Sequence, residues 1–292
     1  MARVPIKPVS SGARPKIGTQ QSPKAVKPKA VIQAAISPPK KPAPKSADEM
    51  LYYGFHACCA LFKNRRDTII RAYCTEERLE DMGLVLKWCA NNKKAYHVVT
   101  KEDLEKVTAS VHHEGVALLA KRKMPLPENE LFARLQMQRQ PLVVLDEVLN
   151  PHNIGSIMRA MAHFGWQHLV CAEQFAVQVS SSAARMSEGG SEYVDLTFYK
   201  DATSFLKNLK ALGYQTVGSS THAKRALYTT KLNFPALAFF LGNEITGLSK
   251  SLVSKLDFSV SIPSSGSVES LNVAMASALL IGECVRQHGL NP

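Results

Sequence analysis

Hydrophobic residues fall along this chain in short bursts with two different periods. At 142–145 four apolar residues run without a break, as in a strand buried on both faces, whereas Ile154, Ile157, Met158, Met161 and Ala162 recur at helical spacing. The same reading predicts strands at 169–172, 194–199, 214–217, 236–241 and 258–262, and helices at 154–164, 202–212 and from about 271 to 287. Asn153 is placed as the N-cap of the first helix and Gly165 as its stop; Asp201 caps the second, which ends at Gly213. Strands alternating with amphipathic helices predict an α/β fold with a mostly parallel sheet covered on both faces.

Upstream lies a smaller alternating pattern. A helical stretch is expected at 52–62, an apolar run at 68–73, a helix at 76–89, an extended piece at 96–100, a helix at 103–109 and a buried strand at 115–120. Between 121 and 140 the periodicity weakens, Pro125 and Pro127 interrupt the chain, and one short helix fits at 131–137. The expected organisation is a tail at 1–49, a small domain at 50–122, a linker at 123–140 and a large domain at 141–292.

Charge is uneven along this plan. The net charge is +12, yet residues 1–47 hold eight Lys, two Arg and no acid, so the tail carries +10 and the remainder only +2. Nine of the sixteen prolines fall in the same stretch, which has too little apolar surface to offset the entropy of ordering. It reads as a disordered basic arm, either a solvated linker or a transient phosphate contact.

The N-terminal segment has no apolar signal-peptide region and no stretch is long enough to span a bilayer, which points to a cytoplasmic protein without a membrane partner. Six cysteines lack C-x-x-C spacing and do not combine with the nine histidines as zinc ligands would, so buried free thiols and no metal are expected.

Open α/β sheets bind ligands where strands end, which singles out three loops. After 142–145 comes Asn150-Pro151-His152-Asn153-Ile154-Gly155, with Arg159 six residues beyond Asn153 and on another helix face. After 236–241 comes Gly242-Asn243-Glu244-Ile245-Thr246-Gly247, whose glycines permit close backbone approach and whose Glu244 can accept hydrogen bonds. After 258–262 comes Pro263-Ser264-Ser265-Gly266-Ser267-Val268-Glu269-Ser270-Leu271-Asn272, where Ser270 and Asn272 offer a hydroxyl and an amide. Taken singly, Asn153 is a cap, Arg159 a solvated side chain, and Glu269 or Ser270 the start of the last helix. No G-x-G-x-x-G follows any strand, which argues against a conventional nucleotide-cofactor enzyme acting on small metabolites.

Together, Asn-Pro-His-Asn-Ile-Gly with Arg159, Leu-Gly-Asn-Glu with Gly247, and Ser-Ile-Pro with Val-Glu-Ser-Leu-Asn-Val resemble the three motifs of the SpoU/TrmH family of RNA ribose 2′-O-methyltransferases, of the SPOUT class. The likeness spans about 141–290 and is nearest to YfiF-type proteins. Residues 52–121, with His113-Glu114-Gly115-Val116, resemble the L30e-like substrate-binding domain that many members carry. Ala274 and Met275 depart from the more usual Ser and Val without touching the polar motif residues.

The resemblance implies a C-terminal trefoil knot, a homodimer, and S-adenosylmethionine held by Leu241, Gly242, Ile262 and Leu271. It implies methyl transfer to a ribose 2′-hydroxyl of tRNA or rRNA, at a guanosine, with Asn153, Arg159, Glu244, Ser270 and Asn272 as the catalytic centre. A guanidinium stays protonated, so Arg159 would stabilise a developing alkoxide rather than serve as base. Lys63, Arg65 and Arg66 form a basic cluster expected to contact RNA phosphates. A module that keeps the fold and binds RNA without catalysis is the alternative, and the intact polar motifs weigh against it.

Overall fold

The computed structural model describes residues 46–175 and 179–290. The basic arm expected at 1–49 lies outside the described residues for 1–45, and Glu49 opens a strand.

The first strand, β1 (Glu49–Tyr53), is followed by α1 (Phe55–Arg65), β2 (Ile69–Cys74), α2 (Gly83–Asn91), β3 (Ala95–Val98), α3 (Lys101–Thr108) and β4 (Val116–Lys121). The strands form a sheet in the order β1-β4-β2-β3, with β2 and β3 parallel and both pairs involving β4 antiparallel. The helix expected at 52–62 therefore starts later: 49–53 pairs along β4, and Gly54, at a φ of 92° that favours glycine, turns the chain into α1. The helix expected at 76–89 is a 3-10 turn followed by α2, which starts at Gly83. One face of this sheet packs Met50, Tyr52, Ile69 and Leu118 against Cys58 and Leu61 of α1 and Val85 of α2; the other packs Tyr73 and Leu119 on Leu104 of α3.

Next come α4 (Glu128–Met137), β5 (Leu142–Leu145), α5 (Pro151–His163), β6 (His168–Ala172), α6 (Ser181–Met186), β7 (Asp195–Tyr199), α7 (Ala202–Ala211), β8 (Gln215–Ser219), β9 (Arg225–Ala226), β10 (Leu237–Leu241), α8 (Lys250–Val253), β11 (Phe258–Ser261) and α9 (Val273–His288). Seven strands form one parallel sheet in the order β7-β6-β5-β10-β8-β11-β9. A parallel sheet must be covered twice, and alternate residues of β5 show how. Val143 and Leu145 face Ile154, Ile157 and Met161 of α5 and Leu280 and Ile281 of α9, while Leu142 and Val144 face Leu131 and Leu135 of α4 and Phe205 and Leu209 of α7. Full burial of side chains this size contributes about 1.5–3 kcal/mol each, so α4, expected as a short piece of linker, is anchored to the large sheet.

Asp201 and Gly213 act as expected: Asp201 Oδ2 accepts from the Ser204 N–H at 2.6 Å, and Gly213 takes a φ of 77°. No apolar stripe marks α6 in the sequence. Ala184 of α6 completes the apolar layer of the small sheet, so this short helix lies between the two sheets.

Candidate active site

Polar side chains converge where β5, β10 and β11 end. Asn150, not Asn153, caps α5: its Oδ1 accepts from the His152 N–H at 2.9 Å, and Pro151 supplies a preset φ in the first turn. Asn153 therefore sits in the first turn of the helix, buried, with its amide free for other partners. Its Nδ2 donates to Glu244 Oε1, and its Oδ1 accepts from Asn272 Nδ2 at 3.0 Å. The last helix is likewise capped at Asn272 rather than at Glu269 or Ser270, its Oδ1 accepting from the Ala274 N–H at 2.9 Å.

The loop carrying Glu244 folds back on itself. Asn243 Oδ1 accepts from the N–H groups of Ile245 and Thr246 at 2.8 and 3.3 Å, its Nδ2 donates to the Glu147 carbonyl at 3.1 Å, and its carbonyl accepts from Gly247 at 2.9 Å. A Cβ on Gly242 would fall on the backbone of Gly247 and Leu248, so glycine is required by the closeness of the two strands of the loop. Asp146, a buried carboxylate that the motifs did not single out, accepts from the Ser249 N–H at 2.9 Å and ties this loop to β5.

The expected site residues are not all brought into contact. Asn153, Glu244 and Asn272 form one hydrogen-bonded set. Arg159 lies on α5 with its side chain 63% exposed, near Glu188 rather than that set. Ser270 is exposed in the third loop and Leu271 is 39% exposed beside it, while Leu241 is buried at the end of β10 and Ile262 half-buried after β11. Lys63 and Arg66 are exposed. Arg65 differs from its neighbours: it donates to both oxygens of Glu192 at 2.6 and 2.8 Å, to Tyr52 Oη at 3.0 Å and to the Lys121 carbonyl at 3.0 Å. Burial works against its charge, but the bonds and charge of Glu192 more than offset this and hold its pKa above the ordinary value. With four of its five N–H donors engaged, Arg65 forms an ion pair that ties α1 to Glu192.

Among the described residues no group of three or more His, Cys, Asp or Glu is arranged to hold a metal ion, and no helix is long and apolar enough to cross a membrane. The six thiols are free; burial pushes Cys171 and Cys284 up to about 12, which leaves them unreactive.

Residues 140–282 match the model of the SpoU rRNA methylase family, and residues 51–126 match the model described as RNA 2′-O ribose methyltransferase substrate binding. The chain is 34% identical over 243 residues to the uncharacterized tRNA/rRNA methyltransferase YfiF of Escherichia coli O157:H7, covering 83% of this chain and 69% of that protein. The chain belongs to the SpoU/TrmH family. This family member is also 30% identical to the 23S rRNA (guanosine-2′-O-)-methyltransferase RlmB of Nitrosomonas europaea, over 81% of this chain and 91% of that one. Its fold resembles that of the SpoU methyltransferase AviRb of Streptomyces viridochromogenes, solved in complex with AdoMet, at a TM-score of 0.67, 21% identity and coverage of 82% and 91%. The α/β architecture of this SpoU/TrmH chain thus carries the three motif loops after the carboxyl ends of β5, β10 and β11 of its parallel sheet.

Proposed function

We propose that this SpoU/TrmH chain transfers a methyl group from S-adenosylmethionine to the 2′-hydroxyl of a guanosine ribose in tRNA or rRNA. The observation that carries the reading is the set joining Asn153, Glu244 and Asn272, which brings the three motif loops to one point. The donor groups fit the cofactor: Leu241, Gly242, Ile262 and Leu271 offer backbone groups beside apolar side chains at the carboxyl ends of β10 and β11 and ahead of α9. When bound there, the cofactor supplies an electrophilic methyl.

The chain's own residues position and stabilise. Asn153 has its amide orientation fixed at both ends, which holds Glu244 with one carboxylate oxygen committed and the other open to accept from a ribose or base. Arg159, charged and exposed, reaches the phosphate beside the target and stabilises the alkoxide that develops as the hydroxyl loses its proton. Ser270 supplies a further hydroxyl from the third loop. Lys63 and Arg66 contribute phosphate contacts from the small sheet.

We also read residues 50–122 as an L30e-like RNA-binding domain, 141–292 as a knotted SPOUT domain, and the working form as a cytoplasmic homodimer. The homodimer is supported by exposed apolar residues at four-residue spacing, Leu271, Met275 and Leu279, along and just before α9. The test is transfer of labelled methyl from S-adenosylmethionine to total RNA, with nuclease mapping of the product. Ribose methylation lost in Arg159→Ala and Asn272→Ala supports the reading; methylation of a base, or none despite cofactor and RNA binding, overturns it.

A further inference from the structure

A line of charged side chains runs from the surface of α5 to the small sheet. Arg159 Nη1 lies 4.0 Å from Glu188 Oε1, and the same oxygen accepts from Arg185 Nη1 at 2.5 Å. Arg185 Nη2 donates to Glu114 Oε1, Arg185 Nε donates to the His112 carbonyl at 3.1 Å, and Glu114 Oε2 accepts from the Phe55 N–H at 2.8 Å. The Glu188 and Arg185 side chains are 20% and 19% exposed against 63% for Arg159, so two members are fixed and the third is free to move.

The backbone around Glu188 is held as firmly. Glu188 takes a φ of 50°, a left-handed conformation in which Gly or Asn is at ease and Glu is not. Gly189 lies against α1, where an added Cβ would come 2.6 Å from Ala60 Cβ and 3.0 Å from the His56 carbonyl. Gly190 lies against α5, where a Cβ would come 2.8 Å from the Met158 carbonyl and 3.0 Å from Arg159 Cα. Residues 188–190 are thus wedged between the small sheet's first helix and the turn that bears Arg159. Strain of this kind persists where the surroundings fix it, and a carboxylate at such a position is there for its charge rather than its backbone preference.

We propose that Glu188 is a positioning residue for Arg159. Its carboxylate, fixed by Arg185, holds one edge of the Arg159 guanidinium and leaves the other edge to the RNA. A guanidinium has five donors in a rigid fork, enough to serve a carboxylate and a phosphate together. This inference rests on Arg159 acting at the reacting ribose.

The experiment measures methyl transfer by the full chain to total RNA from cells lacking the gene, at saturating and limiting RNA, beside thermal melting. Glu188→Gln is expected to lower the rate at saturating RNA about tenfold, a misplacement effect, with half-saturation changed less than about twofold. Glu114→Gln removes a carboxylate from the same Arg185 but leaves Glu188 in place, so its rate stays within about twofold of wild type even if it melts earlier. In an Arg159→Lys background, Glu188→Gln adds little. A wild-type rate in Glu188→Gln, or equal rate losses in the two glutamate variants that track their melting, overturns the inference. An active wild type whose rate survives Arg159→Ala overturns the reading of Arg159 first, and this inference with it.

Discussion

Asn272 Nδ2 donates to Asn153 Oδ1 at 3.0 Å across 119 residues of sequence, joining the cap of α9 to the first turn of α5. The Asn272 side chain does two things at once, because its Oδ1 also accepts from the Ala274 N–H. The two roles separate by substitution. Asn272→Asp keeps the cap but turns the edge facing Asn153 Oδ1 from donor to acceptor, so methyl transfer falls steeply while the melting temperature moves little. Asn272→Ala loses both and costs about 1 kcal/mol of stability as well. Thermal melting with transfer assays separates them, and full activity in Asn272→Asp would rule the amide bridge out of the reaction.

Period and punctuation made the large sheet legible. Its main strands were foreseen to within a residue or two because buried parallel strands are continuous apolar runs, and α5, α7 and α9 because their stripes face the core. The misreadings have local causes. Asn153 reads as a cap because the apolar stripe opens at Ile154, although Asn150-Pro151 carries the stronger start signal. The short α6 has no stripe of its own, since Ala184 packs on the other sheet. Glu188 could be noticed only as a charged residue beside two glycines; its partners lie on other elements.

Arg65 gives a sharp contrast within three residues. Glu192, its partner, has a side chain only 2% exposed, so Arg65→Ala strands a buried carboxylate and should cost about 3–5 kcal/mol. Lys63→Ala and Arg66→Ala should leave stability within about 0.5 kcal/mol and weaken RNA binding, each flattening its salt dependence. Chemical denaturation and fluorescence anisotropy at several salt concentrations read the two effects. A stable Arg65→Ala with weakened RNA binding would give Arg65 a role in phosphate binding instead of stability.

Gly242→Ala tests the cofactor loop. The new methyl would press on the backbone of Gly247 and Leu248, which cannot rotate away as a side chain could, so the loop must open. Overpacking of this kind costs about 1–3 kcal/mol. Titration calorimetry should find S-adenosylmethionine affinity lost while far-ultraviolet circular dichroism stays native. Unchanged affinity would place the cofactor elsewhere.

His168 provides a pH signature of the folded core. It opens β6 fully enclosed, with Nε2 against Gln140 Oε1 at 2.8 Å and Nδ1 without a partner among the described residues. Burial is the main cause that drives its pKa down to about 4, helped by Arg134 and Lys123 and opposed by Asp195. Between the ordinary value of 6.5 and about 4, the unfolded chain takes up a proton that the folded chain refuses, so acid favours unfolding. The stability at stake is fully present above pH 6.5 and is lost as pH falls through that window, by up to about 3 kcal/mol. In His168→Gln the polar contact with Gln140 can persist while the titration disappears. Urea unfolding at pH 7.0 and pH 5.0 should therefore show a larger acid loss in wild type than in the variant, a comparison that cancels the carboxylates titrating in both. Equal losses would mean that His168 accepts its proton in the folded state, through opening of the Gln140 contact to water.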